Sequence, residues 1–260
     1  MPRIRIGRRV WRWVAALAAA VILLLVVPLG IGLTISYGEW SGTSNQRYDR
    51  RGPSGQAPDP ATTQEAVVQV YAGRAARWRG AVGVHTWIAV KRSGADHYTR
   101  YEIWSWRVPD GQSMVRAVEG RADDYWYGYR PDKLVDLRGP GVDRVIDRIE
   151  AAVVAYPDAS RYRIWPGPNS NSFIAHIGRA VPELELDLPP TAIGKDYLGD
   201  GTLVAPAPSG TGYQFSVNGL AGILVAWEEG VEINLFGLVY GIDPTAPALK
   251  LPGVGRLGWR

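Results

Sequence analysis

Hydrophobic and polar positions fall into three patterns along the chain, one unbroken and two periodic, and each predicts a different kind of element. The first stretch has no alternation. From Val14 to Gly38 there is no charged residue, a length sufficient for a helix to cross a bilayer core of about 30 Å. Arg3, Arg5, Arg8, Arg9 and Arg12 lie in front of it, so the positive-inside rule predicts a cytoplasmic N-terminus and sends the rest of the chain across. Trp11 and Trp13 would mark one interface, Tyr37 and Trp40 the other. A cleaved signal peptide would have a shorter apolar core and an A-x-A-like site, which "GLTISYGEW" does not offer. The expectation is an uncleaved anchor over residues 1–40. Residues 41–64 are polar and rich in glycine and proline, and predict a flexible linker that lets the following domain stand off the membrane.

From residue 65 a period of two sets in. "AVVQVYAG", "GAVGVHTWIAVKR" and "HYTRYEIWSWRV" predict three strands, the last two joined as a hairpin across "SGAD". "MVRAVEG" and "YWYGYRPDKLVDLRG" add one or two short ones. The period then lengthens. Val142, Val145, Ile146, Ile149 and Val153 recur at helical spacing until Pro157 stops the run. "WPGPNSNSFIAHI" leads into a second helix, with Phe173, Ile174, Ile177 and Val181 on one face and Pro182 closing it. Two apolar runs follow, "YQFSVNGLAGILVAW" and "VEINLFGLVYGI", which predict a C-terminal hairpin over about 211–242. Glycine and charge interrupt both too often for membrane spans. The sum is an α+β domain over residues 65–260, an antiparallel sheet packed on two helices, behind a transmembrane helix.

Composition narrows the chemistry. The net charge of +4 gathers at the N-terminus, so the globular part is near neutral and has no nucleic-acid footprint. With no cysteine there are no disulfides, no thiolate metal sites and no thiol nucleophile. A metal site would need His85 and His97 to converge with acidic residues, and Asp123 and Asp124 read better as a solvated loop; no metal and no cofactor is expected. Eleven tryptophans and thirteen tyrosines against three phenylalanines favour rings with a polar handle, suited to wet grooves and membrane interfaces or to an ordinary core.

Ser170 is the candidate nucleophile. If the helix starts near Asn171, Ser170 lies at its mouth, where unpaired N–H groups and the positive dipole end favour a developing anion. A serine needs a base, and the base an orienting group. His85 on the second strand and Glu102 on the third supply those types; Asn169 or backbone N–H groups near Ser170 could stabilise an oxyanion. Each residue also has a structural role open to it: Asn169 and Ser170 as helix caps, His85 as a sheet histidine, Glu102 as a partner for Arg100 or Arg92. His97 falls in a turn, and His176 on a different helix face from Ser170. Trp87, Trp126 and Trp165 are candidates for an aromatic substrate groove.

"VQVYAGRAARWRGAVGVHTWIAVK", "YTRYEIWSW", "DLRG", "YRIWPGPNSNSFIAHI", "LPPTAIGKDYL" and "APSGTGYQFS" together resemble a bacterial family known only as a domain of unknown function, from about Val67 to Gly255. That resemblance implies an envelope protein and no particular activity. More distantly, a histidine on an early strand, a polar residue on the next, and Asn-x-x-x-Phe opening a helix are similar to the circularly permuted papain-like hydrolases, including NlpC/P60 and lecithin:retinol acyltransferase-like proteins. This second resemblance implies a papain-like fold. It sets Asn169 at the asparagine, Ser170 at the catalytic cysteine, Phe173 at the phenylalanine, His85 at the base and Glu102 at the third polar group. Serine in place of the thiol is a departure, since a hydroxyl is far harder to deprotonate. Joined to the expected anchor, the two resemblances imply a single-pass inner-membrane protein with a periplasmic domain, a candidate hydrolase or acyltransferase for an amide or ester of a peptidoglycan peptide or lipid. The alternative is a binding or scaffold module whose aromatic groove holds a glycan, peptide or lipid.

Overall fold

The uncharged run forms one continuous helical rod: α1 (Arg8–Val21), a π-helical turn over Ile22–Val26, and α2 (Val27–Trp40). The computed structural model describes residues 8–40, 50–105, 109 and 111–259, without the side chains of residues 8 and 37–40. The expected interface roles of Tyr37 and Trp40, the arginines before residue 8, and residues 106–108 of the third predicted strand lie outside that description. Arg9–Ser36 is long and apolar enough to cross a membrane. Most of it is exposed, but Pro28, Gly32 and Ser36 form a buried stripe at i, i+4, i+8. The Ser36 hydroxyl donates to Arg77 O (3.0 Å), and the Tyr129 hydroxyl donates to Ser36 O (3.0 Å). A Cβ on Gly32 would lie 2.8 Å from Gly253 O, so only glycine lets the helix approach the domain this closely.

Of the expected linker, residues 41–49 lie outside the description, and residues 50–64 run against the domain. Asp123 fastens them: its carboxylate accepts from Ser54 Oγ (3.0 Å) and from the backbone of Gln56 (2.6 Å). Asp123 is therefore a buried anchor rather than part of a solvated loop.

The first sheet consists of β1 (Val67–Arg74), β2 (Val84–Lys91), β3 (Thr99–Ile103), β4 (Val115–Glu119) and β5 (Asp132–Arg138), in the order β4-β3-β2-β1-β5. All its pairings are antiparallel. Both faces are covered, which explains the near-continuous apolar composition of β1 and β2. Val68, Val70, Ile88, Val90 and Ile103 face α3 (Val142–Val154) and α4 (Ser170–Ala180); Val67, Tyr71, Trp87 and Ala89 face Ala122 and Trp126. The apolar stripes of both helices, Ile146 and Ile149 on α3 and Phe173, Ile174 and Ile177 on α4, are fully buried.

The C-terminal part is a seven-stranded antiparallel meander, not one hairpin. Its strands are β6 (Val204–Pro206), β7 (Gly212–Val217), β8 (Ala221–Ala226), β9 (Gly230–Leu235), β10 (Leu238–Asp243), β11 (Ala248–Leu251) and β12 (Gly255–Gly258). Each apolar run folds into two strands, because Asn218–Gly219 and Phe236–Gly237 take positive φ and turn the chain. The architecture is thus α+β with two antiparallel sheets and a separate N-terminal apolar helix.

Candidate functional site

Asn169 caps α4. Its Oδ1 accepts from the backbone of Asn171 (2.9 Å) and Ser172 (3.2 Å), while Ser172 Oγ accepts from Asn169 N (2.8 Å), a reciprocal capping box. The helix therefore opens at Ser170, one residue earlier than the sequence suggests. The Asn169 amide donates to Ile164 O (3.1 Å) and Ile193 O (3.0 Å), so both its hydrogens are in use and it cannot serve as an oxyanion donor. The preceding loop is closely packed. Gly167 has φ 131°, and a Cβ there would meet the Tyr197 side chain at 2.9 Å.

Ser170 is buried. Neither its hydroxyl nor its N–H makes a hydrogen bond among the described residues. Its carbonyl accepts from Thr86 Oγ1 (3.2 Å), which also donates to Asn171 Oδ1 (3.0 Å); Asn171 in turn donates to Val84 O (3.1 Å) and Ile193 O (2.8 Å). These bonds lock the mouth of α4 onto the start of β2.

His85 and Glu102 are brought together. His85 Nε2 lies 2.8 Å from Glu102 Oε2, which also accepts from Arg100 Nη2 at 2.6 Å. Arg100, not Arg92, is thus the partner of Glu102; its guanidinium lies 4.0 Å over the Trp87 ring. Burial pushes the His85 imidazole below its ordinary value, outweighing the upward pull of Glu102. Burial also pushes the Glu102 carboxyl up, but the hydrogen bond from His85 and the Arg100 charge together hold it down. The pair is a carboxylate beside a neutral imidazole at neutral pH. With Nε2–H donated to the carboxylate, the free lone pair is on Nδ1. Trp126 stacks on the His85 ring at 4.1 Å between centroids and 11° between planes. Gly73, directly opposite His85 in the ladder, makes room for it: a Cβ there would lie 2.6 Å from Trp126 Cβ.

Strand alternation sends neighbouring side chains to opposite faces. Thr86 points toward α4, and His85 comes off β2 on the Trp126 side, so His85 and Ser170 do not hydrogen-bond to each other. They do border one cavity. It measures about 650 Å³ and is walled by Trp104, Trp126, Tyr127, Tyr162, Ile164 and Trp165, with His85, Ser170 and Asn171 among its polar groups. The cavity includes Val84 and His85 at the start of β2 and Trp104 and Ser105 just past β3, where the β2–β3 pairing, confined to Ile88–Val90, has ended. Trp126 and Trp165 are wall residues, as the groove expectation had them. Trp87 is not: it is fully buried beneath the wall with its indole N–H on Ala122 O (2.8 Å). Trp104 and Tyr127 were not singled out by the sequence, and neither carries a local motif. His97 is exposed beside Asp96, and His176 faces Ala152 O (3.2 Å) on α3, both away from the cavity. Among the described residues, no three histidine or carboxylate side chains converge as a metal would require.

The family described as "Protein of unknown function (DUF3750)" matches residues 65–197, just over half of the chain. The chain belongs to the DUF3750 family. No curated protein and no solved structure matches it. The DUF3750 region contains the first sheet, both domain helices and every cavity residue named above, and ends before β6.

Proposed function

We propose that this DUF3750 protein is a membrane-anchored bacterial envelope protein with a papain-like domain. It hydrolyses or transfers the acyl group of an amide or ester, belonging to a peptidoglycan peptide or a lipid. The anchor is Arg9–Ser36, with the N-terminal arginines on the cytoplasmic side and the domain outside the inner membrane. One observation carries the reading: an unbonded Ser170 hydroxyl at a helix mouth and an imidazole held by Glu102 border the same aromatic cavity.

The chemistry runs as follows. Ser170 Oγ attacks the substrate carbonyl carbon while its proton passes to His85 Nδ1; Glu102 steadies the resulting imidazolium. The Ser170 N–H at the first turn of α4 donates to the oxyanion, aided by the positive helix end. As the tetrahedral adduct collapses, the leaving amine or alcohol takes the proton from His85. Water or an acceptor hydroxyl then attacks the acyl-serine, returning the proton through His85. The His85 ring and Ser170 hydroxyl must close on each other once substrate is bound, as catalytic hydrogen bonds often do only in the complex. A serine-directed fluorophosphonate tests this directly: wild type is labelled, Ser170→Ala is not, and His85→Gln is labelled far more slowly. Equal labelling of wild type and Ser170→Ala rejects the reading.

A second reading, a non-catalytic module that holds a glycan, peptide or lipid in the cavity, is favoured by His85 leaving β2 on the face opposite the one that packs on α4, so that it makes no hydrogen bond to Ser170. It predicts no serine labelling, together with ligand binding that survives Ser170→Ala and is lost with Trp126→Ala.

A further inference from the structure

The second sheet is inside out. Along β7 to β10 the outward positions are apolar: Tyr213, Phe215, Ile223, Val225, Ile233 and Ile242 are all more than two-fifths exposed. Register unites them. Tyr213 pairs with Val225, Phe215 with Ile223 and Ile223 with Ile233, and Ile242 continues to Leu249 and Leu257 on the last two strands. The inward positions of the same strands bury Gln214, Ser216, Glu232, Asn234 and Asp243, with Leu224 and Val239 as the large apolar side chains among them. A water-facing antiparallel sheet shows the opposite arrangement. An apolar face this continuous marks an interaction surface rather than scattered exposure.

We propose that this face lies on the bilayer leaflet next to the chain's own helix. The joint between helix and sheet is the first argument. At about 1.5 Å per residue, a core of about 30 Å takes about twenty residues, which from Arg12 end near Gly32. Gly32 packs on Gly253, in the turn between β11 and β12, where a Cβ would also meet Pro28 O at 3.2 Å. One end of the second sheet is therefore tied to the helix at the level where the hydrocarbon stops. The second argument is chemical. Trp227 and Trp259 stand out at the margins of the sheet, 68% and 77% exposed, and Trp78 and Arg79 lie in the turn that packs on α2. Indole and guanidinium groups at such a margin suit headgroup level. The outward positions of β7 to β10 carry no charge, so nothing on the face resists contact with acyl chains. This inference does not depend on catalysis by Ser170.

The natural chain has no cysteine, so single-cysteine variants of the full chain report one position each. Val225→Cys, Ile233→Cys and Ile242→Cys, spin-labelled and reconstituted into vesicles of phosphatidylethanolamine and phosphatidylglycerol, are compared with Asp147→Cys on the exposed side of α3. The expected result is a ratio of oxygen to nickel-chelate collisions several-fold higher at the three sheet positions than at position 147. Equal ratios would show a water-facing sheet and overturn the proposal. Loss of both collision types with spin–spin broadening would overturn it in favour of a second copy of this chain on the same face. The labels point outward, and thermal unfolding matching the natural chain verifies that the variants fold.

Discussion

The two sheets use the same alternation to opposite ends. In the first, every strand position from Val67 to Gly73 is buried, and the stabilising contacts are apolar: β2 with Ile88 against α4, β1 with Val70 in the same apolar cluster, Trp87 against Tyr71 on the reverse. In the second, the buried side is a network of charge. Glu232 lies between Lys195 and Lys250, Lys250 also reaches Asp187 (2.6 Å), and Arg256 joins Asp187 (3.2 Å) to Asp243 (2.6 Å). Asp196 receives Gln214 and Asn234 beside it. Burial alone would raise the Glu232 carboxyl, but the two ammonium groups outweigh it and hold it ionised. A period of two fixes which residues share a face, and what that face meets decides whether its apolar or its polar side turns inward.

The comparison is broken most directly at Glu232. Glu232→Ala leaves two buried ammonium groups without their shared carboxylate, and a loss of about 3–5 kcal/mol is expected by chemical denaturation of the full chain in micelles. If the loss is within experimental error, the polar side is not what holds the second sheet. Next in size are paired apolar truncations. Ile88→Ala in the first sheet should cost about 2–5 kcal/mol, whereas Ile233→Ala on the outward face of the second should stay within about 0.5 kcal/mol under the same conditions. Similar costs for both would mean that Ile233 has a packed neighbour. At the joint between β2 and α4, Asn169→Ala removes a helix cap and should cost about 0.5–2 kcal/mol, read as a lower unfolding midpoint.

The smallest effect concerns pH. The His85 pKa is depressed in the folded state, so on acidification the unfolded chain binds the proton first. Its contribution to stability is present above the ordinary imidazole value of about 6.5 and is lost as pH falls below it. His176 is depressed by burial as well and acts with the same sign; Glu102 adds to the loss below the ordinary carboxyl range. The histidine contribution should therefore decline from about pH 6.5 downward, offset at lower pH by Asp196 and Glu229, which burial pushes up. His85→Gln should flatten part of that slope, and an unchanged slope would show that His85 titrates alike in both states.

Much of this was readable from residues alone. The helices α3 and α4 announced themselves through period and terminal prolines, and the first sheet through runs of β-branched residues covered on both sides. The pairing of His85 with Glu102 followed from adjacent strands. That His85 and Thr86 must face opposite ways was equally countable, although which of them meets α4 depends on packing. The strand number of the second sheet was half legible: Asn218–Gly219, in a three-residue turn between Val217 and Ala221, is a strong hairpin signal, whereas the two-residue turn Phe236–Gly237 is not. Its inversion was beyond local reading, since the partners of Glu232 come from segments far away in the chain. The cavity wall, with Trp104 and Tyr127 from separate loops, exists only after folding.

Gly73 carries a consequence for how this site can vary among relatives. The Trp126 ring lies flat against His85 only because the residue across the ladder has no side chain. Positions 73 and 126 should therefore change together: a relative with any larger residue at 73 must give up the indole or shift it off the imidazole. Where both are kept, the histidine will sit in the same stacked pose, whatever else in the wall has drifted.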